Sequence, residues 1–380
     1  MKTAHIIYWN YLNPNGEGMS IGGIQTYITN LLDVLFKLDF NVIIYQRGDI
    51  DFHKVISDRL TICGCAREAN KVRGLSKLLF AHAKKNIDCR RGDVVIFGSH
   101  ELTVNTHMQI PVIAIQHGIS WDVPEIGLSR IKYNYMYLKK QYNACQLTRQ
   151  IRYNSHVVCV DCNFINWYRA LVPCPQVKLH YIPNFSAVPK ERVVKPDINE
   201  GVNIIFARRF FAKRGTRIFM NVAKQLLAEY DKINITIAGE GPDERLLKDN
   251  LSTLKNVHFI RYDSRNSLMV HNDKHIAVVP TLGSEGTSLS LLEAMASECA
   301  VVCTNVGGMT NIVINEYNGL LIDPNETALY QALKRLIENG NERMLMAQRG
   351  YETVLNSFSL SKWQNSWEKM LKQINITSNE

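Results

Sequence analysis

Short apolar, β-rich runs alternate with helix-length segments along nearly the whole chain, and this alternation restricts the fold more than any single motif. His5–Trp9, Asn41–Tyr45, Asp93–Phe97, Val112–Gln116 and Val157–Val160 read as buried strands. Asn203–Phe206, Ile233–Ala238, Val257–Ile260, Ile276–Val279 and Ala300–Thr304 repeat the pattern. Strands separated by helices predict parallel α/β sheets. GGIQTYITNLLDVLFKL carries the clearest helical period, with Ile24, Tyr27, Ile28, Leu31, Leu32, Leu35 and Phe36 on one face.

At 380 residues the chain exceeds the roughly 250–300 that one hydrophobic core supports, which predicts two domains. Proline and charge concentrate in IPNFSAVPKERVVKP (182–196), where both periodicities lapse. The expected domains are therefore 1–185 and 186–380. SLSKWQNSWEKMLKQI reads as a helix with Trp363, Trp367 and Leu371 on one face. Such a face needs a partner, in a domain surface or in another subunit.

Net charge is +9 and unevenly placed: residues 1–185 hold 21 Lys/Arg against 13 Asp/Glu, and residues 186–380 hold 23 against 22. The first half should face something anionic. No acidic residue lies between Glu125 and Asp161, while Arg130, Lys132, Lys139, Lys140, Arg149 and Arg152 are interleaved with tyrosines that include Tyr133, Tyr137 and Tyr142. Tyrosine and basic side chains both favour an anionic membrane–water interface, so residues 130–152 are the expected membrane contact. The alternative is a solvated basic helix that packs its tyrosines on its own domain. The cations and aromatics form no nucleic-acid-binding module, so no nucleic acid is expected as a partner.

No stretch approaches the ~18 apolar residues of a spanning helix. MKTAHIIYWNYLNP reads as a first strand, not a signal peptide. Cys159 and Cys162 form a literal C-x-x-C without a second pair of ligands at matching spacing, and VVCVDC also reads as a buried strand. Reduced structural thiols are expected, and with them a cytoplasmic protein.

SEGTSLSLLEAMASE (284–298) places Glu285 and Glu293 eight positions apart in an otherwise small and apolar run. Gly286, Thr287 and Ser288 read as the entrance to a buried helix. At about 1.5 Å rise per residue the two carboxylates stand roughly 12 Å apart along the axis. That exceeds the roughly 5–9.5 Å of a glycosidase acid/base pair, so they cannot serve one atom. They can serve two ends of one long ligand, with helix N-terminal amides between them suited to a phosphate. FARRFFAKRG (206–215) delivers Arg208, Arg209, Lys213 and Arg214 at a strand's C-terminal end, a composition suited to a diphosphate. Gly22 and Gly23 open the first helix after NPNGEGMSI, and His117 ends the strand of IAIQHGIS. AGEGPDERLLKD (238–249) is a common α/β loop, and Asp49-Ile50-Asp51 is a D-x-D that reads as a solvated turn.

Together these segments resemble the family 4 glycosyltransferases, retaining enzymes of the GT-B fold, over nearly the whole chain. SEGTSLSLLEAMASECAVVCTNVGGMTNIVINEYNGLLIDP is similar to that family's E-x₇-E region, and ARRFFAKRG to its Arg-x₄-Lys phosphate grip, matched by Arg208 and Lys213. GGIQTYI, AGEGPDERLL, QHG and IPNF resemble the glycine loop, the Gly-x-Gly-Pro turn, the family histidine and the linker entry.

The resemblance implies two Rossmann-like domains facing across a cleft, the C-terminal helix packing back on the first. It implies a nucleotide-diphosphate sugar donor of UDP or GDP type and a glycan or lipid-linked acceptor of cell-surface polysaccharide or lipopolysaccharide synthesis. Peripheral placement on the inner face of the plasma membrane would follow. Glu293 would hold the ribose and Glu285 the sugar, while the amides of Thr287, Ser288 and Leu289, after Gly286, meet the diphosphate. Arg208 and Lys213 would neutralise the departing phosphate, Gly22 and Gly23 would approach it, and His117 would contact the sugar. No metal and no cofactor beyond the donor substrate are expected. Two departures leave the sugar and the base open: Thr287-Ser288 replaces Phe-Gly, and Arg261 stands where glycine is usual near the base. Within the same fold, a nucleotide-sugar epimerase or hydrolase is the alternative activity.

Overall fold

The computed structural model describes all residues except 21, 68–73, 120–128, 173–175, 190, 193, 263–265, 284 and 378–380, with side chains to Ile374. Ile21 and Ser284 of the two candidate loops, Lys190 and Val193 of the expected linker, and Glu125 lie outside the described residues. The chain divides into two compact units. Residues 1–117, 127–182 and 364–380 form the first, and residues 118–126 with 183–363 form the second.

The first unit holds β1 (Thr3–Ile7), β2 (Asn41–Gly48), β3 (Phe52–Ser57), β4 (Leu60–Ala66), β5 (Val94–Phe97), β6 (Val112–Gln116), β7 (His156–Cys159) and β8 (Lys178–Tyr181). They form one sheet of order β3-β4-β2-β1-β5-β6-β7-β8, parallel except where β3 meets β4. Its helices are α1 (Gly23–Lys37), α2 (Leu75–Lys84), α3 (Arg130–Ile151) and α4 (Cys162–Leu171). The apolar face of α1 buries Tyr27, Ile28, Leu31, Leu32 and Leu35, as its period requires. Between Cys159 and Cys162, neither in a disulfide, Asp161 caps α4 by accepting the Phe164 amide at 2.9 Å.

The second unit holds β9 (Val202–Ala207), β10 (Ile233–Ala238), β11 (Val257–Ile260), β12 (Ile276–Val279), β13 (Ala300–Thr304) and β14 (Leu320–Ile322), all parallel, in the order β11-β10-β9-β12-β13-β14. Helices α5 (Thr216–Glu229), α6 (Glu244–Leu251), α7 (Leu289–Ala296), α8 (Glu326–Glu338) and α9 (Gly340–Thr353) cover it. Successive strand side chains point to opposite faces. Ile204 and Phe206 therefore join one buried cluster, while Ile205 and Ala207 join another with Leu291, Leu292 and Met295 of α7.

The last helix, α10 (Leu360–Thr377), belongs to both units. Its Trp363 packs on Phe185 of the second unit, ring centroids 4.5 Å apart. Trp367 is buried in the first unit, where its indole N–H donates to the Tyr27 hydroxyl at 2.9 Å. Among the described residues no helix is long and apolar enough to cross a membrane.

Candidate active site

Ligands of open parallel sheets bind beyond the strands' C-terminal ends, where the chain reverses direction through the strand order. In the second unit that point lies between β9 and β12, since the chain builds outward one way through β10 and β11 and then the other way through β13 and β14. Arg208 follows β9 directly. Its side chain is only 5% exposed, and Nη2 donates to Glu285 Oε2 at 2.8 Å. Burial lowers the guanidinium to about 10, so it stays charged at neutral pH. Among the described residues its buried Nη1 has no partner. Arg214 Nη1 reaches the same carboxylate oxygen, and the Thr281 hydroxyl donates to it at 3.2 Å. Lys213, by contrast, is an exposed residue.

The backbone around this cluster is tightly fixed. Gly215 has φ +80°, and a Cβ there would lie 1.9 Å from the Pro280 carbonyl oxygen. The Leu282 amide donates to the Lys213 carbonyl at 2.8 Å. The residues on either side of Arg214 are thus tied to the loop leading to Glu285. Gly307 has φ +54°, and a Cβ would stand 2.1 Å from the Glu285 carbonyl oxygen. The Gly308 amide donates to that oxygen at 3.0 Å. The Gly-x-Gly-Pro turn also matters, because Phe210 N–H donates to Glu240 O at 2.8 Å and braces the loop that carries Arg208.

Thr287 and Ser288 are buried, and α7 begins at Leu289 without a side-chain cap, as an N-terminus open to an anion would. Gly286 precedes them. The Asn184 amide donates to the Thr287 carbonyl at 2.7 Å, so the linker entry positions this turn. One turn into the helix, Glu293 accepts from the Ser267 hydroxyl at 2.8 Å. Burial raises its carboxyl to about 7, opposed by the Ser267 bond and the charge of Arg208. Tyr262, beside it, is raised above the usual phenol range by burial and by the Glu293 charge. Arg261 points elsewhere, 68% exposed and paired with Glu244 at 3.0 Å.

In the first unit, Gly22 caps α1 in an extended conformation that any residue could adopt, and Gly23 is the exposed first helical residue. His117 donates from Nε2 to the Gly98 carbonyl at 2.9 Å, and burial lowers it to about 4, so it is neutral at pH 7. Tyr27 meets its ring edge-on, with centroids 5.1 Å apart. Because Trp367 holds the Tyr27 hydroxyl, α10 helps to orient this histidine. Asp51 accepts the Ala66 amide at 2.6 Å and Asp49 stands 3.8 Å from Arg47, roles of the turn that links β2 to β3. Arg214 is one of the four cations that FARRFFAKRG brings to the strand's end, whereas no sequence signal assigns a role to Thr281, Ser267 or the glycines at 307 and 308, and Tyr27 is marked only as part of the apolar face of α1.

Residues 189–353 match the family model described as glycosyl transferases group 1. The sucrose-phosphate synthase of Thermosynechococcus elongatus superposes with a TM-score of 0.77 at 15% identity, covering 99% of this chain and 100% of that one. The fold is that of the GT-B glycosyltransferases. Anabaena Alr3699/HepE in complex with UDP-glucose gives 0.70 at 11% identity, covering 98% and 100%. In sequence, an uncharacterized glycosyltransferase of Methanocaldococcus jannaschii is 26% identical over 379 residues, 96% of each chain. The family match lies within the second unit.

Proposed function

We propose that the protein is a retaining, metal-independent glycosyltransferase. It would move a sugar from a nucleotide-diphosphate sugar, of UDP or GDP type, to a glycan or lipid-linked acceptor in cell-surface polysaccharide synthesis. The observation that carries this reading is Arg208, a buried cation at the chain-reversal point with an Nη1 unpartnered among the described residues and a second arginine beside it. A buried guanidinium with an open donor is completed by an anionic oxygen, and a diphosphate leaving group supplies one.

Glu293 would hold the ribose hydroxyls and Glu285 those of the sugar, with the amides of Thr287, Ser288 and Leu289 meeting the diphosphate between them. Arg208 and a second cation of its loop, Lys213 by resemblance, would neutralise charge growing on the departing phosphate. The resemblance further assigns Gly22 and Gly23 to the diphosphate and His117 to the sugar. It also implies attack by the acceptor from the leaving-group face, with a phosphate oxygen helping to remove its proton. The acceptor's membrane would be met by α3 at the cytoplasmic face.

The test is a panel of nucleotide sugars scored first by thermal stabilisation and then, with candidate acceptors, by mass spectrometry of the products. A glycosylated product with its anomeric configuration retained is expected. Free sugar as the sole product would make the protein a hydrolase, an epimer would make it an epimerase, and stabilisation by none of the donors would sink the reading.

A further inference from the structure

Glu285 is held by three donors at once: Arg208, Arg214 and Thr281. Its carboxylate therefore lies where two cations converge at the chain-reversal point. That carboxylate cancels only one of the two arginine charges, and one Arg208 nitrogen remains buried without an acceptor among the described residues. Two arginines and an unsatisfied N–H exceed what one carboxylate can use. A larger anion with more oxygens would satisfy them all.

We propose that Glu285 is an internal stand-in for the donor's diphosphate, and that Arg214 is the second cation of the diphosphate grip. Binding of the diphosphate exchanges the ion-pair partners: Arg208 and Arg214 pass from Glu285 to the phosphate oxygens, and the freed carboxylate turns to the sugar hydroxyls. The exchange needs only side-chain rotation, because the Glu285 backbone is pinned by Gly308 N–H and crowded by Gly307. The backbone on both sides of Arg214 is likewise tied to the loop from β12. Glu285 thus disfavours an empty grip without its anion and is delivered to the sugar only when a diphosphate is present. A free sugar alone finds the carboxylate occupied.

This inference rests on the nucleotide-sugar reading only for the identity of the anion, so inorganic pyrophosphate in metal-free buffer is the probe. An internal competitor lowers apparent affinity by the fraction of molecules it occupies, so Glu285→Gln should bind pyrophosphate about tenfold or more tighter than wild type. Arg214→Ala should bind about tenfold more weakly, as should a correctly folded Arg214→Met, which keeps the stem and loses the charge. Lys213→Ala should stay within about threefold, the effect of one exposed and screened charge. Isothermal titration reads all four, with circular dichroism confirming the fold of each. Unchanged or weaker binding by Glu285→Gln overturns the proposal. So does a loss in Lys213→Ala that matches or exceeds the loss in Arg214→Ala, or failure of every variant to bind pyrophosphate. If Glu285→Gln gains affinity for pyrophosphate while UDP and GDP bind no better than pyrophosphate itself, the exchange stands and the nucleotide-sugar reading fails.

Discussion

Burial raises the Glu293 carboxyl from its ordinary 4.5 to about 7, and the sign of that shift determines how the residue couples to stability. Between those values the folded protein keeps a proton that the unfolded chain has released. Stability from this group is present below pH 4.5 and is lost as pH rises through about 7. Glu293→Gln removes the ionisation. Its stability relative to wild type should be higher at pH 8 than at pH 5, by on the order of 1–2 kcal/mol in urea titrations. Equal differences at both values would contradict the raised carboxyl. For Arg208 the readout is turnover: Arg208→Ala should lower kcat/KM by about 10²-fold or more, because the lost charge acts where negative charge develops. Near-wild-type turnover would remove Arg208 from the grip. Glu293, Arg208 and Arg214 could be placed from the helix and the strand end that carry them, whereas Glu285 precedes α7 and is positioned by Gly307 and Gly308. The parts of Thr281 and Ser267 were not legible, since they arise only where segments distant in sequence converge.

At the scale of elements, strands with two buried faces or a clean alternation were easily read. Ile233–Ala238, Val257–Ile260, Ile276–Val279 and Ala300–Thr304 fall at their expected bounds. β3 escaped because no residue after Phe52 is even partly buried, so its sequence carries no period that distinguishes it from a turn. α3 is the opposite case, a helix whose composition was clear and whose packing was not. Buried side chains begin only at Ala144. Ile131, Tyr135, Leu138 and Tyr142 recur at i, i+4, i+7 and i+11 and all stand exposed, Ile131 by 85%. Tyr133 and Tyr137 are exposed as well, so these tyrosines do not pack on their own unit. An apolar stripe bordered by Lys132 and Lys139, with Lys140 adding charge on the opposite face, suits an anionic lipid surface. Wild-type protein should co-sediment with anionic vesicles at low salt and be released at high salt. Replacing those three lysines by Glu should abolish sedimentation and leave pyrophosphate binding unchanged. Sedimentation of the triple variant like wild type would remove α3 from the membrane.

For the whole molecule, the alternation of strands and helices was enough to foresee two sheets, because each parallel sheet must have its crossovers. The family resemblance foresaw the return of α10 to the first unit, but the point of division was not legible, since Trp363 and Trp367 look equivalent in sequence yet bury against Phe185 and beside Tyr27. The distribution of charge among the units leads to the last prediction. A diphosphate leaving group needs positive charge, from a divalent ion held by carboxylates or from fixed cationic side chains. Among the described residues no three His, Cys, Asp or Glu side chains are placed to hold an ion together. The D-x-D that could suggest one has Asp51 committed to the Ala66 amide and Asp49 beside Arg47. The second unit instead brings Arg208 and Arg214 together at the chain-reversal point, with the backbone flanking Arg214 tied to the loop of Glu285 at Gly215 and Leu282. Turnover should therefore be unchanged after dialysis against excess EDTA. It should fall instead with added salt, which screens arginine–phosphate attraction during donor encounter. Activity lost in EDTA and restored by Mn²⁺ would show that the arginines do not suffice and that carboxylates outside this cluster carry the metal.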